Sequence, residues 1–139
     1  MAVVVGYDRH PASRAALMFA GDLAGALNVS VHVVHALDLS DSPIAGATKT
    51  ENSVETRQKH AGDILDAAGV PWTFHVLDRD PPTALLAIAD EWAASMIVIG
   101  RPEHGVGAAL GHVLTGATAR SLLRRSRRPV VIVPGIEEP

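Results

Sequence analysis

Short, unbroken apolar runs alternate along this chain with longer stretches in which apolar positions recur at helical spacing. "AVVVGY" (Ala2 to Tyr7) is continuous and Val-rich, the pattern of a strand covered on both faces. "PASRAALMFAGDLAGALN" follows, with Pro11 suited to a first helical turn and Ala15, Leu17, Met18, Ala20, Leu23 and Leu27 on a helical repeat. "VSVHVVHA" (Val29 to Ala36) predicts a second strand, then a polar loop, then a second helix from Val54 to Ala68 stopped by Gly69 and Pro71. Trp72 to Leu77 alternates as a third strand. Asp80 is placed to cap a third helix, with Pro81 at its first position. "MIVIG" (Met96 to Gly100) predicts strand four, "ATARSLLRRS" from Ala117 predicts helix four, and "PVVIV" (Pro129 to Val133) predicts strand five.

A β-α-β-α-β-α-β-α-β order implies a mostly parallel sheet with helices on both faces, because each right-handed crossover lays its helix back on the sheet. In such doubly wound sheets ligands sit beyond the carboxyl ends of the strands, where the strand order reverses. That rule selects Gly6 to Asp8, then His35 and Ala36, then the stretch opening at Gly100.

Composition narrows the functions. A chain of 139 residues fits a single domain, 1–139, and can bury its own core. Aromatic residues make up 4% of it and the formal charge is -3, which argues against a general binder of nucleic acid or anionic membranes. Cysteine is absent, so no disulfide or thiolate metal site can form. The start has no basic n-region, and no apolar run approaches a membrane span, so a cytoplasmic location is expected.

The chemistry concentrates in "GRPEHGVGAALGHVLTG" (Gly100 to Gly116). With a helix starting just after it, free N–H groups around Gly116, Ala117 and Thr118 would face an anion along the helix dipole. The loop contains no lysine, which excludes a Walker-type site. His32 and His35 have metal-ligand spacing, but residues an odd number apart on a strand point to opposite faces, so they are not co-ligands. His10, His35, His104 and His112 would all lie near the ligand edge with Asp8; solvated loop histidines are the commoner case, and no metal is assigned. The arginines of "RRSRRP" complement the dipole at the end of helix four. "VVIV", as a final edge strand, is apolar and needs a cover, which argues for a dimer. No catalytic set is visible.

The segments "VVVGYDRHPASRAALMFAGDLA", "VSVHVVHALD", "DPPTALLAIADEWAASMIVIG" and "GATARSLLRRSRRPVVIVP" resemble, in order and spacing, the universal stress protein family. The resemblance covers nearly the whole chain and is weakest from Ser40 to Gly69. It implies an open, doubly wound, Rossmann-like α/β fold with a five-stranded parallel sheet in the order 3-2-1-4-5. It also implies a homodimer paired through Val130, Val131, Ile132 and Val133, and a site for ATP or another adenine nucleotide with Mg. Many members use an aspartate at the end of strand one and a motif G-x2-G-x9-G-[ST] after strand four. On this chain that implies a site of Tyr7 and Asp8, with Ala36 against the adenine and Gly100 and Gly116 as the outer glycines. Glu103 stands where the second glycine belongs, Ala117 stands where the Ser or Thr belongs with Thr118 next to it, and the stretch between the outer glycines is longer than the motif. Gly105 or Gly107 would then substitute for the second glycine.

The expectation from both readings is a stress-response or regulatory module that binds adenine nucleotide and hydrolyses ATP slowly if at all. Adenine monophosphates should suffer less than ATP from the carboxylate of Glu103, because repulsion grows with phosphate charge. The alternative is a ligand-free dimerisation module of the same fold with a closed pocket.

Overall fold

The computed structural model describes residues 1–8, 11–37, 54–101 and 108–135, with the side chains of the last helix described from Gly116 onward. Its elements are β1 (Ala2–Gly6), α1 (Pro11–Leu27), β2 (Ser30–Ala36), α2 (Val54–Ala68), β3 (Trp72–Leu77), α3 (Pro81–Glu91), β4 (Met96–Gly100), α4 (Ala108–Arg125) and β5 (Val130–Val133). All neighbouring strands pair in parallel, in the order β3-β2-β1-β4-β5. This is the predicted doubly wound α/β sheet. Strand order grows outward from β1 to β3 on one side and from β4 to β5 on the other, so the switch point falls between β1 and β4.

The continuous apolar runs are explained by two cores. Val3 and Val5 of β1, Val31 and Val33 of β2 and Val98 of β4 face Ala16, Leu17, Ala20 and Ala24 of α1 with Ala61 and Leu65 of α2. Val4, Val34, Ile97 and Ile99 face the other way, onto Ala84, Leu85, Ile88 and Ala89 of α3 and Ala119 and Leu122 of α4. The central strands have no solvated face, and alternation of polar and apolar residues is lost for that reason. Alanine dominates the inner side of α1, which lets that helix lie close to the sheet.

Three helices end in the same way. A residue with positive φ follows each, Asn28 at 58°, Gly69 at 72° and Ala93 at 49°. The next N–H then bonds back across the turn: Val29 to the carbonyl of Ala24 at 3.0 Å, Val70 to Leu65 at 3.3 Å and Ala94 to Ala89 at 2.9 Å. These bonds satisfy carbonyls left open at the helix ends. At the other end of α3, the Asp80 carboxylate accepts from the Thr83 N–H at 3.3 Å and its hydroxyl at 2.9 Å, the predicted cap.

One boundary differs in a way that matters. Helix four was expected from Ala117, but α4 is already helical at Ala108. Gly116 and Thr118 argue locally for a helix start, yet propensity is a weak prior and the modest cost of these residues inside a helix does not stop it. Smaller differences are that β1 ends at Gly6 rather than Tyr7, β2 starts at Ser30 rather than Val29, and β5 starts at Val130 rather than Pro129.

Candidate functional site at the carboxyl edge

At the switch point the end of β1 and the end of β4 meet the first turn of α1. Gly100 closes β4, and a Cβ built on it would stand 2.5 Å from the carbonyl carbon and oxygen of Ala12. No side chain fits there, so glycine at this position is required by the approach of α1. The strand continues its pairing one residue further, with the Arg101 N–H on the Val133 carbonyl at 2.7 Å.

Tyr7 and Asp8 lead out of β1. The Tyr7 N–H bonds to the Val34 carbonyl at 3.0 Å, and the Tyr7 carbonyl accepts from Nδ1 of His35 at 3.2 Å. Asp8 is exposed, and its main chain is tied to α1 in both directions: its N–H donates to the Ser13 hydroxyl at 3.2 Å, and that hydroxyl donates to its carbonyl at 2.9 Å. Ser13 is buried. The turn between β1 and α1 is therefore anchored by the backbone of Asp8 and the side chain of Ser13.

The Tyr7 ring packs on the α1–α2 core. Burial raises its phenol above the ordinary value, against the opposing pull of the Arg57 and Arg14 guanidiniums. Both arginines sit in first helical turns, α2 and α1 respectively, so the ligand edge carries positive charge beside Asp8. Ala36 ends β2 in register with Leu77, half-buried on the α3 side.

Of the predicted site residues, Tyr7, Asp8, Ala36 and Gly100 thus lie at the carboxyl ends of β1, β2 and β4. Gly105 and Gly107, with Glu103, lie outside the described residues. Gly116, Ala117 and Thr118 lie inside α4 and not at its start. Backbone N–H groups within a helix are bonded to carbonyls four residues back, so these three do not present free donors to an anion here, contrary to the sequence-based expectation. The Gly116 carbonyl accepts from Arg120 Nε at 3.3 Å, and among the described residues a Cβ on Gly116 would meet that arginine, at 3.6 Å.

His32 and His35 do lie on opposite faces of β2. His35 is beside Tyr7 and tilted against Phe74, while His32 pairs with His75 on the α3 side. Of the four histidines near the ligand edge, only His35 has a described side chain, and no group of three metal-ligating side chains occurs among the described residues. Sequence reading missed Ser13, Arg14 and Arg57. Ser13 was findable as a hydroxyl in the first turn of a helix that follows Asp8; Arg57 was not, because the segment before α2 carries no pattern that places it.

The family model for the universal stress protein family matches residues 1–134. No curated protein matches the sequence. Among solved structures, a universal stress protein from Archaeoglobus fulgidus is 29% identical with a TM-score of 0.71, covering 96% of this chain and 93% of that one. A universal stress protein in complex with cAMP is 26% identical with a TM-score of 0.74, covering 98% of each chain. The universal stress protein from Archaeoglobus fulgidus in complex with dAMP is 29% identical with a TM-score of 0.70, covering 96% and 97%. No helix among the described residues is long and apolar enough to cross a membrane. The five-stranded topology and the family match over nearly the full chain agree: this chain belongs to the universal stress protein family.

Proposed function

We propose that the protein binds an adenine nucleotide at the carboxyl edge between β1 and β4 and works as a homodimeric regulatory module. The observation that carries this reading is the junction of Gly100 with the first turn of α1, which leaves Tyr7 and Asp8 beside a backbone surface at the switch point of the sheet. Two relatives of the same fold are in complex with cAMP and with dAMP, both adenine monophosphates. In this reading Asp8 holds the ribose or a Mg-bridged phosphate, Ala36 meets the base, and Gly105 or Gly107 completes the phosphate loop. Monophosphates are preferred over ATP, because Glu103 and Ala117 replace a glycine and a hydroxyl.

Gly116 supports the same reading from another side. A glycine inside a helix costs about 1 kcal/mol relative to alanine, and among the described residues a Cβ there would meet Arg120 at an ordinary 3.6 Å. Its use is explained if α4 shortens when nucleotide binds, releasing the N–H groups of Gly116, Ala117 and Thr118 toward the phosphate. The dimer is supported by β5, an edge strand whose Ile132 is exposed.

The helix that runs through Gly116 to Thr118 favours a second reading, a ligand-free dimerisation module in which those N–H groups stay bonded. Isothermal titration with AMP and ATP separates the two. We expect AMP to bind, ATP to bind more weakly, and Asp8→Ala to weaken AMP by about 1–3 kcal/mol while the protein still folds. Absence of binding by either nucleotide leaves the ligand-free module.

A further inference from the structure

On the α3 side of the sheet, away from the carboxyl edge, His32 of β2 is only 3% exposed. Register sets His32 opposite Thr73 and Val34 opposite His75, so the two histidines are diagonal neighbours on one face. Nδ1 of His32 is 2.8 Å from Nε2 of His75, and the rings stack at 5.1 Å with 25° between their planes. The indole of Trp92, the residue that ends α3, stacks on His32 at 4.5 Å and lies tilted at 6.2 Å from His75. Sequence reading treated His32 only as a rejected partner of His35 and did not find this cluster.

We propose that His32 and His75, joined by one shared hydrogen beneath the Trp92 indole, form an acid-operated latch. It clips the C-terminal end of α3 to the β2–β3 edge of the sheet and opens when both rings carry protons.

In the neutral pair one ring donates and the other accepts. The first added proton leaves an imidazolium donating to an imidazole, and the bond survives. The second leaves both facing nitrogens as N–H donors, and a separation of 2.8 Å cannot hold. Two charges would then stand together in a partly buried place.

The surroundings favour the neutral pair. Burial lowers the basicity of both rings, and His75 lowers that of His32 further. The opposing charge comes from Glu91 of α3, which raises both. Asp90, the carboxylate next to it, is engaged by Arg128 at 2.5 Å. Ser30 of β2 brings a neutral hydroxyl 3.5 Å from Nε2 of His32, and on β1 the register partner of His32 is the apolar Val4.

The sign follows from these shifts. A base with its folded-state pKa below the ordinary imidazole value of about 6.5 contributes stability that is complete above that value. The contribution drains away as pH falls below it. The element released is defined by the fold: β3 is an edge strand, and the His32–His75 bond joins it to β2, on which Trp92 at the end of α3 stacks.

The test uses the full chain with Trp72→Phe, so that Trp92 is the sole tryptophan reporter. We expect Trp92 emission to change steeply as pH falls below about 6.5, with uptake of two protons. His75→Gln should remove the steepness and leave one titrating ring. In the unsubstituted protein, long-range proton–nitrogen NMR of the imidazoles should show one hydrogen shared by His32 and His75 at neutral pH and none shared at the acid end. Identical emission profiles with and without His75, or two rings titrating independently near the ordinary imidazole value, overturn the latch. The NMR measurement decides even if a substituted chain fails to fold.

Discussion

The Cα of Gly100 is pressed so closely against Ala12 that any side chain there would collide with the main chain of the first turn of α1. This contact links the end of β4 to the turn that carries Asp8, and it is what fixes the candidate site. Gly100→Ala has to push α1 away from the sheet. We expect a loss of about 1–3 kcal/mol in stability, the usual range for overpacking, and a larger proportional loss of nucleotide binding. Urea unfolding and titration calorimetry on the same preparations check both. Unchanged stability would mean that α1 is free to shift and does not position the site.

Gly116 separates the two functional readings. In the extended α4 it occupies a helix interior, where among the described residues an added methyl group would meet Arg120 at an ordinary 3.6 Å. Gly116→Ala is expected to stabilise the nucleotide-free protein by about 0.5–1 kcal/mol and to weaken AMP binding. Thermal melts with and without AMP measure the two effects together. Stabilisation with undiminished AMP binding would show that α4 keeps its helix in the complex.

The β-α order, with helices on both faces of a parallel sheet, was legible because short apolar runs and well-marked helix ends leave little choice of element type, and the strand order followed from the family resemblance. Asp80 with Pro81 told the start of α3, and Gly69 told the end of α2. The strand ends Tyr7, Asp8, Ala36 and Gly100 were legible as a consequence of topology alone. Three things were not. The start of α4 was hidden because Gly116 and Thr118 favour a break locally, a preference weak enough for a helix to run through both. The fit of Gly100 on Ala12 depends on the path of α1 across the sheet. The pairing of His32 with His75 depends on the register of β2 with β3, and neither residue announces the other in sequence.

The outer edge of β5 is the place where a second copy is expected to pair. Val131 and Val133 pack on the α1–α2 core and Val130 on the α3–α4 core, whereas Ile132 is exposed. Ile132→Lys is therefore a cleaner probe than Val131→Lys, which would also disturb the interior. Sedimentation should show a dimer for the parent and a monomer for Ile132→Lys, with melting behaviour largely retained. Persistence of the dimer places the interface on another surface.

Amide chemical shifts recorded while AMP is added to the labelled protein test the nucleotide site most directly. Saturable shifts are expected at Tyr7, Asp8, Leu37 and Gly100, accompanied by shifts at Gly116 to Thr118 as α4 shortens, with Thr73, His75 and Trp92 unmoved. Saturable shifts confined to any other surface, or none at the ends of β1 and β4, would contradict it.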